Sequence, residues 1–431
     1  MRSLLVAVLV AGLLAQPAAV QQALSPTEQQ LAAHADGSRA EAEQLLERLV
    51  NINSGTMNLD GVKRVGDVFA AEFKTLGFRT TWVDGAAFKR AGHLIAERDG
   101  KGPRLLLIGH LDTVFEPDSP FQKFQRITAD AARGPGIIDM KGGDVVILYA
   151  LKALAAAKAL DGVAITVVMT GDEEDPGEPL TIARQALLDA GKAADIAIGF
   201  ENGNNNPANA NISRRGFTGW TLRVKGMAAH SSQVFTESVG AGAIYELSRI
   251  LNGFYAGLSK EPLLSLNPGL TLGGTTVEFN AAQSRGTAFG KTNVVAEHAI
   301  VTGDLRGISS EQVETTKKTM HGVVAANLAR TSAELVFDDS YPPMAPTDGN
   351  RRLLARLNDA SRDLGLGEIT PVDPRAAGAA DISFVAHDVE MAIDALGLKG
   401  KADHTVDETA DLRVLPVQIK RAAVLIHRLT Q

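Results

Sequence analysis

The chain has 431 residues and a hydrophobic fraction of 45%, enough to bury a full core and long enough for two or three domains. Its formal net charge is −7 and no Lys/Arg-rich run appears, which excludes a nucleic-acid footprint and a polybasic membrane anchor and leaves small molecules or peptides as partners. Cysteine is absent, so disulfide bracing, thiol catalysis and thiolate metal sites are excluded, and any metal must be held by His, Asp and Glu.

Arg2 precedes an apolar run over residues 4–14, too short to span a bilayer but of signal-peptide length, with small residues Ala15, Ala18 and Ala19 offering cleavage sites. Residues 1–23 therefore read as a signal peptide, and export to the periplasm or beyond follows, with no stable membrane anchor. Residues 25–49 have helix-forming composition, with Ser25-Pro26 as the start. Apolar runs at 105–109, 165–170 and 196–200 read as strands, separated by helical stretches such as 145–160. Strands alternating with helices predict an α/β fold with a mainly parallel, doubly wound sheet covered on both faces.

The pattern changes near residue 212. Trp220, Leu222 and Val224 alternate as in a half-buried strand, a helical stretch covers 240–257, strands follow around 270–279 and 299–305, and a second helix is expected over 310–330. This grouping predicts a smaller α+β domain inserted at 213–340, between catalytic segments 24–212 and 341–431. After the proline-rich return "DDSYPPMAPT", an Ala/Leu-rich helical pattern is expected to run to the end.

Ligands of doubly wound sheets bind beyond the carboxyl ends of the strands. His110 and Asp112 follow the first apolar run, Glu173 and Glu174 follow the second through "GDEE", and Glu201 follows the third. The loop "RGPGIIDMKGG" delivers Asp139 just before a helical segment. Taken singly, the H-x-D pair fits a hydrogen-bonded turn, the paired glutamates a solvated surface and Asp139 a helix cap. Together, carboxylates converging on one sheet edge would repel one another and raise each other's pKa unless a cation neutralised them. Histidine nitrogen with carboxylate oxygen suits zinc, and two zinc ions about 3.5–4 Å apart need a bridging carboxylate.

The series "GHLDTV", "GPGIIDMKGG", "TGDEE", "FENG", "GMAAHSS", "NVVAE", "GDLR" and a late "DHTVDE" resembles the dizinc metallopeptidases that include glutamate carboxypeptidase, acetylornithine and succinyl-diaminopimelate deacylases, and aminoacylase. The motifs fall in the family's order and span nearly the whole mature chain. The resemblance implies that His110 and Glu201 hold one zinc, Glu174 and His404 the other, and that Asp139 bridges them, with Co or Mn as possible substitutes. It implies that Asp112 orients His110 by accepting its free ring N–H, and that Glu173 is the general base acting on a zinc-bridged water. If its segment is extended, Glu174 points away from Glu173.

The inserted domain serves this family as a lid and dimerisation surface, which implies a homodimer. His230 matches a histidine that reaches the neighbouring subunit's site and polarises the substrate carbonyl. Asn293 and Arg306 match groups that hold the substrate's carboxylate or the oxyanion. The stretch "RAAGAADIS" resembles the family's glycine-rich loop beside the metals, with alanines replacing several glycines. The other histidines, His34, His93, His298, His321, His387 and His427, read as structural or surface residues. The expected activity is cleavage of an amide bond that releases a terminal amino acid from a small peptide or N-acyl amino acid. Alternatives are an N-acyl-amino-acid or xenobiotic amide deacylase and a non-catalytic exported peptide- or metal-binding protein. The glutamate-selective relatives share an arginine near the return from the lid, and "DDSYPPM" offers none.

Overall fold

The computed structural model describes residues 22–431, so nearly all of the expected signal peptide lies outside the described residues. At its centre is a six-stranded sheet whose neighbours run Arg79–Asp84, Gly92–Arg98, Val163–Thr170, Lys101–His110, Ile196–Gly199 and Met391–Ile393. The last four pair parallel and the first two join antiparallel. Parallel pairing requires cover on both faces, and the strand Lys101–His110 shows how the sequence meets that need. Leu105 and Leu107 enter one core while Leu106 and Ile108 enter the other, because successive side chains point to opposite faces. The helices Lys141–Ala156 and Val414–Leu429 pack together over the first core, and Gln185–Ala193 and Ile382–Val385 pack over the second.

The second unit is an antiparallel sheet in the order Ser265–Gly274, His298–Arg306, Phe217–Lys225, Ser332–Tyr341. Its own core joins Trp220, Leu222 and Val224 to Leu247, Ile250 and Phe254 of the helix Ala243–Leu258 and to Met320 of Ser310–Ala325. The sheet is therefore half-buried, which is why period-two alternation was legible there.

Three expectations need correction. The run over 25–49 forms two helices, Pro26–Gly37 and Arg39–Val50, broken at Ser38; Ser25 caps the first in a capping box with Glu28. The strand expected at 270–279 divides into the sheet strand Ser265–Gly274 and the hairpin strand Thr276–Asn280. Gly274 stands at the break, where a Cβ would lie 2.5 Å from the Phe289 carbonyl oxygen. The C-terminal segment is not helical throughout: between Asp348–Asp363 and Val414–Leu429 the chain inserts Met391–Ile393 as the sixth central strand. Three buried residues are too few to carry a period, so only their pairing with Ile196–Gly199 reveals the strand.

Candidate metal centre

The carboxyl ends of three adjacent parallel strands bring the expected residues together. His110 closes the strand Lys101–His110, Glu173 and Glu174 follow Val163–Thr170, and Glu201 follows Ile196–Gly199 by one residue beyond Phe200. Asp139 precedes the helix Lys141–Ala156, which sits hard against the third strand end: a Cβ on Gly143 would lie 2.0 Å from the Phe200 carbonyl oxygen. The second glycine of "KGG" thus permits the approach that sets Asp139 over the sheet edge. His404 arrives from the distant C-terminal loop with φ of 58°, a left-handed conformation uncommon outside glycine and asparagine.

Two ligand groups form, His110 with Asp139 and Glu201, and Asp139 with Glu174 and His404; in each, the donor atoms lie within 4.8 Å of one another. Asp139 belongs to both and divides its oxygens between them. Its Oδ1 is 3.2 Å from His110 Nε2, and its Oδ2 is 2.9 Å from His404 Nε2. Glu201 Oε1 lies 3.6 Å from His110 Nε2, and Glu174 Oε2 lies 3.2 Å from His404 Nε2.

The electrostatics of this cluster call for positive charge. Burial, and after it the neighbouring carboxylates, push Glu174 up to about 7 and raise Glu173 and Glu201 well above the ordinary range. Burial opposes ionisation of Asp139 too, yet hydrogen bonds from His110 and His404 hold it well below the usual carboxylate value. Hydrogen bonds to Asp139 and Glu174 raise His404 to about 11. Glu174 Oε1 is buried with no hydrogen-bond partner, a state that costs free energy unless something else coordinates it. Two divalent cations would formally balance Asp139, Glu173, Glu174 and Glu201 and would occupy that orphaned oxygen. The donor set, all nitrogen and oxygen, therefore fits a pair of metal ions.

Behind the ligands lies a layer of carboxylates that fix them. Asp112 Oδ1 is 3.3 Å from His110 Nδ1, whose closer partner is the Asp112 backbone oxygen at 3.1 Å. Both favour Nδ1 as a donor, so that Nε2, 3.2 Å from Asp139 Oδ1, is the nitrogen that would turn a lone pair to a bound ion in place of its bond to Asp139. Asp112 also accepts from Thr56 Oγ1 at 2.7 Å and from the backbone N–H groups of Glu173 and Glu174, each at 3.1 Å. Burial disfavours its charge, but the bonds from His110 and Thr56 keep it ionised below its ordinary value. One carboxylate thus orients the histidine and the loop of both glutamates. That loop is a bend beyond the strand rather than an extended segment, so the bend, not strand pleating, sets the directions of Glu173 and Glu174.

Two further holders lie outside the residues singled out from sequence. Glu408, buried, accepts from the N–H groups of Gly136, Ile138 and Asp139 at 3.0, 2.8 and 3.2 Å, so it grips the backbone that carries Asp139. Asp394 accepts from the Glu201 N–H at 3.2 Å and is paired with buried Arg214 at 2.8 Å. Glu408 closes the late "DHTVDE" motif and had that signal; Asp394 and Arg214 had none, because only the return of the last strand brings them together.

The remaining candidates sit in the inserted unit, and their bonds run within it. His230 is exposed and its Nδ1 lies 2.8 Å from Ser232 Oγ; the Asn293 carbonyl accepts from the Ser231 N–H at 2.9 Å, so His230 and Asn293 are neighbours. Arg306 pairs with Asp304 at 2.9 Å and stacks over Phe217 at 5.0 Å. The stretch "RAAGAADIS" does lie against the centre, since Ala380 and Asp381 line a small cavity with His110 and Glu201.

An α/β domain with an antiparallel insertion and a shared-carboxylate pair of ligand groups at its sheet edge defines a metallopeptidase or amidohydrolase. Residues 106–428 match Peptidase family M20/M25/M40, and the chain belongs to that family. It is 26% identical over 388 residues to carboxypeptidase G2 of Pseudomonas sp. (strain RS-16), covering 88% of this chain and 87% of that one. It is 24% identical over 357 residues to the succinyl-diaminopimelate desuccinylase of Nitrosospira multiformis, covering 78% and 87%. Among solved structures, the aminopeptidase PepT of Bacillus cereus superposes with a TM-score of 0.71 at 17% identity, covering 91% of this chain and 99% of that one. The Bacillus subtilis YXEP protein, described as a dinuclear metal binding peptidase, superposes at 0.60 and 14% identity, covering 92% and 99%.

The grip of Glu408 on the Asp139 backbone has a direct test. Glu408→Gln turns an amide N–H2 toward backbone donors, and it is expected to weaken divalent-metal affinity about 10- to 100-fold in chelator competition. Unchanged affinity would mean that Glu408 does not hold the site.

Proposed function

We propose that this chain is an exported dizinc amide hydrolase that releases a terminal amino acid from a small peptide or N-acyl amino acid. The division of the Asp139 oxygens between two histidine-containing ligand groups carries this reading. His110 and Glu201 would hold one ion, Glu174 and His404 the other, with Asp139 shared and Co or Mn as substitutes. When bound, the pair supplies Lewis acidity toward a carbonyl oxygen and lowers the pKa of water toward neutrality.

Glu173 is the general base. It lies in the electrostatic reach of Glu201, His110 and Glu174, and its half-buried carboxylate accepts the proton of water as the oxygen attacks the scissile carbonyl carbon. The same carboxyl then delivers that proton to the leaving nitrogen, so one residue serves both transfers. Arg306, already shaped by Asp304 and Phe217, offers a planar fork for the substrate's free carboxylate. His230 and Asn293 stand exposed and adjacent on the inserted domain, which supports a role at the site of a second copy, where an imidazole would polarise the substrate carbonyl.

Glu173→Ala is expected to keep two metal ions per chain and to lose about 10²- to 10⁴-fold in kcat, measured on a panel of a C-terminal glutamate dipeptide and N-acetyl, N-lauroyl and N-benzoyl amino acids. Undiminished turnover would remove the hydrolytic role of Glu173. Faster cleavage of the N-acyl substrates than of the dipeptide would move the activity to the deacylase reading, while turnover of none would favour a binding protein.

Export and assembly are tested together on protein recovered from the producing cells. Sedimentation is expected to give a dimer, and intact mass a chain lacking an N-terminal segment like the apolar run over 4–14. A fully active monomer would end the proposed role of His230, and a full-length mass would end the export reading.

A further inference from the structure

A second buried polar cluster lies behind the loop that carries Glu173, and the hydrolytic reading does not use it. At its centre is Arg184, only 1% exposed, between the short helices Leu180–Ala183 and Gln185–Ala193. A guanidinium cannot shed its charge when buried, so its partners must compensate it. Its Nη1 donates to Asp172 Oδ1 at 2.6 Å and its Nη2 to the Asp172 backbone oxygen at 3.0 Å. Nε forms an ion pair with Asp381 Oδ1 at 3.0 Å, and Nη2 also donates to the Tyr341 hydroxyl at 3.1 Å. The guanidinium is flanked by the rings of Tyr341 and Phe384, at 5.9 and 5.4 Å.

Each of these partners holds the catalytic loop in turn. Asp172 Oδ2 accepts from the Gly177 N–H at 2.8 Å, closing the loop across its base. Asp381 Oδ2 accepts from Thr170 Oγ1 at 2.5 Å, at the last residue of the strand that leads into the loop. Buried His93, which sequence alone leaves as a structural residue, accepts from the Gly171 N–H at 3.2 Å through Nδ1, and its Nε2 lies 2.7 Å from the Ala183 carbonyl. Tyr341 completes the set: with its oxygen occupied by Arg184, its hydroxyl donates to the backbone carbonyl of Glu173 at 2.8 Å.

The position of Tyr341 gives this arrangement its meaning. It is the last residue of Ser332–Tyr341, the strand by which the inserted domain returns to the catalytic domain. The register with Phe217–Lys225 slips between Asp339 and Tyr341, and such irregularities re-aim a side chain. The residue that ends this return strand therefore bonds the backbone of the residue we read as the general base.

We propose that Arg184 and Tyr341 are positioning residues that fix the Glu173 backbone against the return strand of the inserted domain. The inference rests on Glu173 being the base, and the test separates the two. Tyr341→Phe keeps the ring packed against Phe384, 5.0 Å away, and deletes only the hydroxyl. It is expected to lower kcat about tenfold, the worth of one hydrogen bond, with KM and metal content unchanged. In a Glu173→Ala background the same substitution is expected to cost less than about twofold, because the group it positions is gone. Unchanged kcat for Tyr341→Phe, or an equal loss in both backgrounds, would overturn the positioning role while leaving an inactive Glu173→Ala as support for the base. Full turnover by Glu173→Ala alone would instead overturn the general-base reading.

Discussion

Gathering like charges at one buried sheet edge is the constraint on which the rest of the structure depends. Asp139, Glu173, Glu174 and Glu201 converge where three parallel strands end, and burial raises the cost of every negative charge there. A fold meets that cost either by protonating the groups or by supplying cations. Histidines placed on either side of Asp139, and an oxygen of Glu174 left without a protein partner, fit the second solution.

Support for the cluster comes from other carboxylates, each turned toward N–H donors rather than toward the centre. Asp112 collects His110, Thr56 and two backbone N–H groups; Glu408 collects three backbone N–H groups around Asp139; Asp394 holds the N–H of Glu201 and is itself neutralised by Arg214. Directional bonds of this kind fix rotamers and loop backbones that packing alone would leave adjustable. The same logic extends to Arg184 and Tyr341 behind Glu173. Specificity of geometry is thus built outward from one aspartate to the last residue of the strand Ser332–Tyr341.

Much of this was legible from sequence because the relevant signals were local. Four consecutive apolar residues before His110 announced a strand buried on both faces, and the alternation at Trp220, Leu222 and Val224 announced a sheet buried on one. The rule that ligands sit beyond strand ends then selected His110, Glu173, Glu174 and Glu201 together. What escaped depended on long-range contact. Asp394 follows a strand of three residues, too short for any period, and meets Arg214 from 180 positions away. Tyr341 stood inside a stretch marked only by the arginine it lacked, and its bond to Glu173 spans 168 positions at a strand end where the register slips. Arg184 sits at the turn between two short helices, where an arginine usually faces solvent, yet it is almost wholly buried.

The account stands or falls on Asp139 serving two cations at once. Anomalous diffraction at the zinc edge from zinc-loaded crystals tests this most directly. The expected map has two peaks about 3.5–4 Å apart, one beside His110 and Glu201, the other beside Glu174 and His404, with an Asp139 oxygen on each. A single peak, or two peaks that do not share Asp139, would contradict it.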